Sequence, residues 1–445
     1  MSSIYLFGVI FLAVLVMIIA ISKFNLHPFI VLVVISIAVG LACGLDTVTV
    51  INTVKTGFGN ILASIGIVIL CGTIIGTILE KTGAALTMAN TILKIVGKKR
   101  SVVTMGAMGY VTGIPVFCDS GFVVLSPISR ALAAQSNTSL AVMATALSGG
   151  LYATHCLVPP TPGPIAMAGT LEADLGLTIL VGLLISIPAV AVVILYATKV
   201  SSKIDIPANP EYTIEELTEK YGKLPGALHS FSPILLPIIL IGLSSIASLP
   251  SLPFGQGFVY TFLNFIGNPV VALLLGVFLS MTLIPKSERK NTLDWVTKGV
   301  TDSAAIIAIT GAGGSFGEIL KLLPIADATT GLLATGLGVL VPFVIAVILK
   351  LAMGASTVAM ITTAGMVAPM LSNMGLTSPL GRVLVVMAIG AGSMVASHAN
   401  DSYFWVVSQF SDMKTSEAYR CQTGMTAVMG FTVIVIVYIV SLFVV

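Results

Sequence analysis

Charge is scarce in this sequence: 9% of its residues are Asp, Glu, Lys or Arg, against about 25% in a soluble domain. Water therefore cannot be the main solvent for the 445-residue chain. Cysteine is scarce as well. The five present (Cys43, Cys71, Cys118, Cys156, Cys421) form no CxxC pair and lie in or beside apolar stretches. That speaks against a disulfide framework or a thiolate metal site and leaves them as small buried hydrophobes. HExxH, a metal-spaced Cys/His set and a nucleophile elbow are all missing, so nothing points to an enzyme, a cofactor or a resident metal. The net charge of +3 is too small to argue for nucleic acid; in an apolar chain it reflects loop charges that set orientation.

What is abundant is apolar surface. Hydrophobic residues make up 56% of the chain and the mean hydropathy is +1.08. Stretches of roughly 20 apolar residues, enough to cross a bilayer, recur from end to end. The first, Ile4 to Ile21, has no small-residue cleavage site behind it and is followed by Lys23 and more apolar sequence. It reads as a retained helix, not a signal peptide. The fold class is all-α integral membrane.

A polar interruption, 199–230, rich in Glu and Lys, divides the chain into a first half (1–198) and a second (231–445). The halves repeat each other. Pro28 pairs with Pro269, Gly57 with Gly299, Gly76 with Gly317, Pro127 with Pro369 and His155 with His398, each pair 241 to 243 residues apart. Such ordered matches at one offset indicate an internal duplication. The first half reads as spans Ile4–Ile21, Pro28–Leu45 and Asn60–Leu79, an amphipathic segment Ala84–Val96, a Gly/Pro-broken stretch 101–132, a broken helix 140–170 and a span Leu177–Ala197. The second reads as Ser232–Ala247, Asn268–Ile284, Asp302–Leu320, Ile325–Ala334, a broken stretch 338–371, a broken helix 382–410 and Met425–Val444.

Charge bias relates the halves. Suppose 101–132 and 338–371 are re-entrant hairpins. Each half then crosses an odd number of times and the second is inverted. With both termini outside, the 21 Lys and Arg fall on the cytoplasmic side, Lys98, Lys99, Arg100 and Arg130 among them. The exceptions are Lys55, Lys321 and Arg382 outside and Lys350 in the second hairpin. Full crossings would reverse that bias, so the positive-inside rule favours hairpins. About ten spans plus two hairpins, in two inverted repeats, follow.

Irregular backbone at membrane depth is tolerated only where protein or a water-filled cavity surrounds it. Four places qualify: Gly113 to Gly121, Leu157 to Pro164, Gly354 to Thr357 and Ser397 to Ser402. Helix N-termini at such breaks suit a carboxylate, with Ser120, Gly121, Pro160, Thr161, Ser356, Thr357, His398 and Asn400 as candidate substrate contacts. Asp119, between Phe117 and Phe122, is a candidate for both substrate binding and proton carriage, or the partner of Lys350 in a structural ion pair. His155, equivalent to His398, is a candidate proton relay. Asp401 is a further coupling candidate, as the partner of His398 or as a ligand for sodium. Glu80 and Glu318, beside Lys81 and Lys321, read as interfacial anchors. Gly311 to Gly314 reads as close helix packing, since neither a preceding strand nor GK[ST] accompanies it.

The broken segments FCDSGFVVLSP, HCLVPPTPGPIA, GAGGSF, GASTVA and SHANDSYFW resemble, end to end, the bacterial gluconate permease family of the ion-transporter superfamily. The resemblance implies an inner-membrane symporter importing a small hydroxylated carboxylate, such as gluconate or another sugar acid, with protons. It also implies scaffold and transport domains, an elevator motion and a homodimer. The alternative is a sodium-coupled carboxylate or D-serine-like transporter of the same fold. Members usually carry Glu where this chain has Asp119 and His where it has Thr161, which leaves glycerate-sized hydroxy acids and amino acids open as cargo.

Overall fold

The computed structural model describes every residue except 1–2, 23, 25, 98–99, 209–223, 248–253, 324–337, 373, 399–400 and 444–445. Among the described residues there is no strand. The helices of the first half are α1 (Ser3–Ser22), α2 (Pro28–Ala42), α3 (Thr47–Lys81), α4 (Ala84–Val96), α5 (Ser101–Thr112), α6 (Cys118–Gln135), α7 (Leu140–Leu157), α8 (Pro162–Thr170) and α9 (Leu175–Lys199). Those of the second are α10 (Ala227–Ala247), α11 (Phe258–Ile266), α12 (Pro269–Thr282), α13 (Thr292–Lys321), α14 (Leu340–Met353), α15 (Ser356–Val367), α16 (Pro379–Met394), α17 (Ser402–Phe410) and α18 (Gly424–Ser441). A π-helical turn, Tyr419–Thr423, leads into α18. The predicted amphipathic segment Ile325–Ala334 and part of the 199–230 linker lie outside the described residues.

The duplication is visible in how helices begin. Pro28 and Pro269 each open a helix at its first position, where proline's missing N–H and fixed φ do no harm. His27 and Asn268 cap them by accepting from the N–H of Phe29 and Val270. Ser139 and Ser378 likewise cap α7 and α16. Each cap satisfies one of the orphan donors of a first turn. The pairing then runs through α3 with α13, α5 with α14, α6 with α15, α8 with α17 and α9 with α18. Helices α3 and α13 are longer than the spans read from sequence, starting at Thr47 and Thr292. Helix α11 has no counterpart in the first half.

Two apolar cores divide the molecule. One is built from α5, α6, α7, α9, α14, α16 and α18. The other is built from α1, α2, α3, α12 and α13, with α15 laid against it. Every residue of α7 is buried, whereas α9 and α18 leave Leu184, Ile187, Val435 and Ile439 exposed as an apolar outer surface. Glycines allow the closest contacts. A Cβ on Gly150 would stand 2.3 Å from the Gly106 carbonyl of α5, and one on Gly57 would stand 2.6 Å from the Gly314 carbonyl of α13. The Gly311–Gly314 run is thus a packing surface.

By length and apolarity, five helices among the described residues can cross a bilayer, or seven if two bent pairs are joined. That is fewer than the ten or so read from sequence. The breaks account for much of the difference, because α14, α15 and α16 are apolar but short. Only joined end to end would such half-helices reach the ~30 Å of a hydrocarbon core.

Candidate substrate site

The four predicted breaks are real. Helix α5 stops at Thr112 and α6 resumes at Cys118; α7 stops at Leu157 and α8 resumes at Pro162. Helices α14 and α15 are parted by Gly354 and Ala355, and α16 and α17 by residues 395–401. Gly354 has φ +79°, a conformation a side chain would strain, and this turns its carbonyl onto the Lys350 ammonium. Pro159–Pro160 is a cis peptide. Neither α6 nor α15 has a side-chain cap, so their first-turn N–H groups keep their capacity to bind an anion.

Side chains from all four breaks touch in sequence. Phe117, just before α6, lies 6.1 Å from the His155 ring near the end of α7. His155 stacks on Tyr152 one turn back, at 6.3 Å and 9°. The Lys350 ammonium of α14 sits 5.8 Å from the Tyr152 ring centre and pairs at 2.6 Å with Asp401, which caps α17. Tyr403, in the first turn of α17, stacks on Tyr152 at 5.3 Å and meets Phe122 of α6 edge-on at 6.3 Å. A closed ring of contacts therefore joins the helices that flank all four breaks.

The ion pair is the electrostatic centre of this ring. The Lys350 side chain is 0% exposed and that of Asp401 is 6% exposed. A charge at such depth is sustained only by a partner and further hydrogen bonds. Ser397 donates to Asp401 Oδ2 at 2.5 Å, and the Tyr403 N–H donates to Oδ1 at 3.1 Å. Ser397 is held in turn by Thr426, which accepts from its N–H, and by Thr423, which donates to its carbonyl.

Several expected roles take a different form. Lys350 pairs with Asp401 and not with Asp119, because Asp401 lies at the start of α17, within reach of the last turn of α14. His398 is not the partner of Asp401 either; its Nδ1 lies 2.9 Å from the Ala396 carbonyl. Asp119 is partly buried at the second position of α6, with the Cys118 thiol 3.6 Å from its carboxylate. Thr161 turns its hydroxyl back onto the carbonyls of His155 and Val158, so it closes the break and does not face a ligand. The Pro160 carbonyl abuts Gly72 of α3, and Gly121 packs on Leu151. Ser356 is buried and Ser120 and Thr357 partly so, all three in the first turns of α6 and α15. His155 Nδ1 is buried with no hydrogen-bond partner. Asn400 lies outside the described residues.

Tyr152 and Tyr403 are not singled out by the sequence reading, and Phe117 enters it only as a neighbour of Asp119. Their signal is proximity to a break: each lies within a few residues of one. Two arginines read only as topology markers also act here. Arg130 donates to the Phe410 carbonyl and to Asp412, closing the end of α17. Arg382 donates to the Leu171 carbonyl and Glu172, closing the end of α8. Glu172 and Asp412 both have φ +52°, so the two closures are alike in backbone as well as in chemistry.

Comparison with known proteins agrees with this architecture. The GntP family permease model matches residues 5–443. A gluconate permease of Pseudomonas aeruginosa is 33% identical over 439 residues, covering 96% of this chain and 95% of its own. The D-serine transporter DsdX of Escherichia coli is 31% identical over 431 residues, covering 96% of each. Among solved structures, the YdaH transporter of Alcanivorax borkumensis has a TM-score of 0.68 at 14% identity, covering 94% of this chain and 99% of that one; it shares the fold. The chain therefore belongs to the GntP family of permeases, and is a multi-pass inner-membrane transporter, not an enzyme.

Proposed function

We propose that the protein imports a small hydroxylated carboxylate, of the size of gluconate or glycerate, together with protons. The observation that carries this reading is a fully buried lysine, Lys350, among helix breaks whose hairpin helices α6 and α15 start without side-chain caps. A buried ammonium and two open helix N-termini form a cradle for one anionic group. The hydroxyls of Ser120, Ser356 and Thr357 are of a kind suited to a polyol chain. Asp119 and Asp401 are the acids available to carry the proton. The gluconate permease relative supports the substrate class, and the inverted arrangement supports alternating access. The two apolar cores support an elevator in which the site-bearing helices move against α3 and α13, in a dimer with both termini outside.

A D-amino acid is the second reading. The DsdX relative favours it, and the Asp119 carboxylate beside Cys118 offers a partner for an ammonium group.

Uptake into proteoliposomes separates the cases. Under an inward pH gradient without sodium, labelled gluconate or glycerate accumulates. Accumulation under a sodium gradient at constant pH, and none under a pH gradient, contradicts the proton reading. Accumulation of D-serine alone moves the substrate to the second reading.

A further inference from the structure

We infer that Lys350 is the counter-ion of the transported carboxylate, and that Asp401 takes up the coupling proton when the substrate displaces it from Lys350. This rests on the reading of the protein as a carboxylate transporter and specifies how proton and anion are linked. The ammonium of Lys350 bonds to the Gly354 carbonyl and to Asp401 Oδ2. The pair is neutral and out of water. An anion entering from the hairpin N-termini of α6 and α15 meets this one buried cation.

An added carboxylate would leave three charges, net negative, in a site that cannot solvate them. One proton restores neutrality. The Lys350 ammonium passes from Asp401 to the substrate carboxylate, and Asp401 takes a proton from solvent on Oδ2. The O–H bond on Asp401 forms as one O–H bond of a hydronium ion in the solvent breaks and leaves water; no other covalent bond changes. Reversal on the other side of the membrane frees anion and proton together, so transport is electroneutral with one proton per monoanion.

The surroundings of Asp401 accommodate both forms. As a carboxylate it accepts from Lys350, Ser397 and the Tyr403 N–H. As an acid its Oδ2–H can donate to Ser397 Oγ, since a hydroxyl both donates and accepts, while Oδ1 keeps the Tyr403 N–H. The other titratable groups facing Asp401 are Tyr152, His155 and Cys156 on α7, Cys118 on α6 and Tyr403 on its own helix. Asp119 lies one residue beyond Cys118. Of these only His155 could supply a second cation, and its ring is stacked on Tyr152.

The test is calorimetric titration of the purified full-length protein with gluconate, and with glycerate, in two buffers of different ionisation enthalpy. The slope between buffers counts protons taken up per anion. The wild type takes up one, and its Kd rises about tenfold per pH unit across neutral pH. Lys350→Arg also takes up one. Lys350→Arg combined with Asp401→Asn binds with no proton uptake, because arginine stays charged whatever its neighbours. Asp119→Asn in the otherwise natural protein still takes up one, so the question is decided even if the double variant does not fold.

Binding by the wild type without proton uptake overturns the inference. So does uptake that persists in a folded double variant, or is lost in Asp119→Asn. No binding of either anion by the wild type refutes the carboxylate reading itself, and the inference falls with it.

Discussion

The imidazole of His155 lies flat against the ring of Tyr152, 6.3 Å away with 9° between the planes. The stack joins the break of one repeat to the ion pair of the other, since Tyr152 also carries the Lys350 ammonium over its ring and Tyr403 beside it. Tyr152 is among the largest fully buried side chains. Its ring and its hydroxyl should therefore differ in weight. Tyr152→Phe keeps the stacks and loses a long 3.4 Å hydrogen bond to the Ser393 carbonyl together with the hydroxyl's bond to Ser356; it should cost about 1–2 kcal/mol. Tyr152→Ala opens a cavity beside His155, Tyr403 and Lys350 and should cost about 3–5 kcal/mol. Thermal unfolding in detergent checks both, and equal losses would contradict the assignment.

The two arginine closures predict paired effects at the ends of α17 and α8. Arg130→Gln or Arg382→Gln removes a charge-assisted bond to a helix-terminal carbonyl and should cost about 1–2 kcal/mol. Hydrogen exchange should rise at the end of α17 in the first variant and at the end of α8 in the second. Loosening spread over the whole protein would argue against local closures.

Acid should weaken the Arg130 closure. The hydrogen bond from Arg130 to Asp412, in the loop after α17, holds that carboxyl below its ordinary range. A depressed acid contributes stability above its unfolded-state pKa and loses it as pH falls through the native one. The contribution is small, because the Asp412 side chain is 59% exposed. The melting-temperature gap between wild type and Arg130→Gln should therefore narrow slightly below about pH 4 without closing, because the bond to the Phe410 carbonyl persists in acid. A difference that grows in acid contradicts this.

Ala396 carries φ +56° at the second break, a left-handed conformation that an L side chain adopts at a cost of about 1 kcal/mol. Ala396→Gly should raise the melting temperature if its backbone stays as it is. Gly150→Ala should do the reverse, since its Cβ meets a carbonyl at 2.3 Å, while Gly59→Ala, with nothing within 4 Å, should be neutral or slightly stabilising. Measuring the three together separates backbone strain from contact. Equal effects for the two helix glycines would overturn the packing argument.

The breaks, the repeat and the membrane class were legible because each is written in residue type along the chain. Gly and Pro clusters mark where a helix cannot continue, and a constant offset marks a duplication. Pro28 and Pro269 were legible as a repeat match, although the caps that His27 and Asn268 supply emerge only in the structure. The partners were not legible. Lys350 and Asp401 are 51 residues apart, and sequence alone offered Lys350 only Asp119 as an ion-pair partner. Which acid meets it depends on where the first turn of α17 lands against the last turn of α14, a packing outcome. Thr161 misled for a related reason: its hydroxyl finds two carbonyls of its own broken turn, as Thr often does where a helix is interrupted. The aromatic ring of Phe117, Tyr152 and Tyr403 carries no periodic signal and emerges only when four segments converge.

A structure of the protein bound to gluconate or glycerate tests the central claim most directly. The account predicts the carboxylate on the Lys350 ammonium, at the start of α6 and α15, with Asp401 turned to Ser397. Well-defined substrate elsewhere in the molecule, with Lys350 and Asp401 still paired at 2.6 Å, contradicts it.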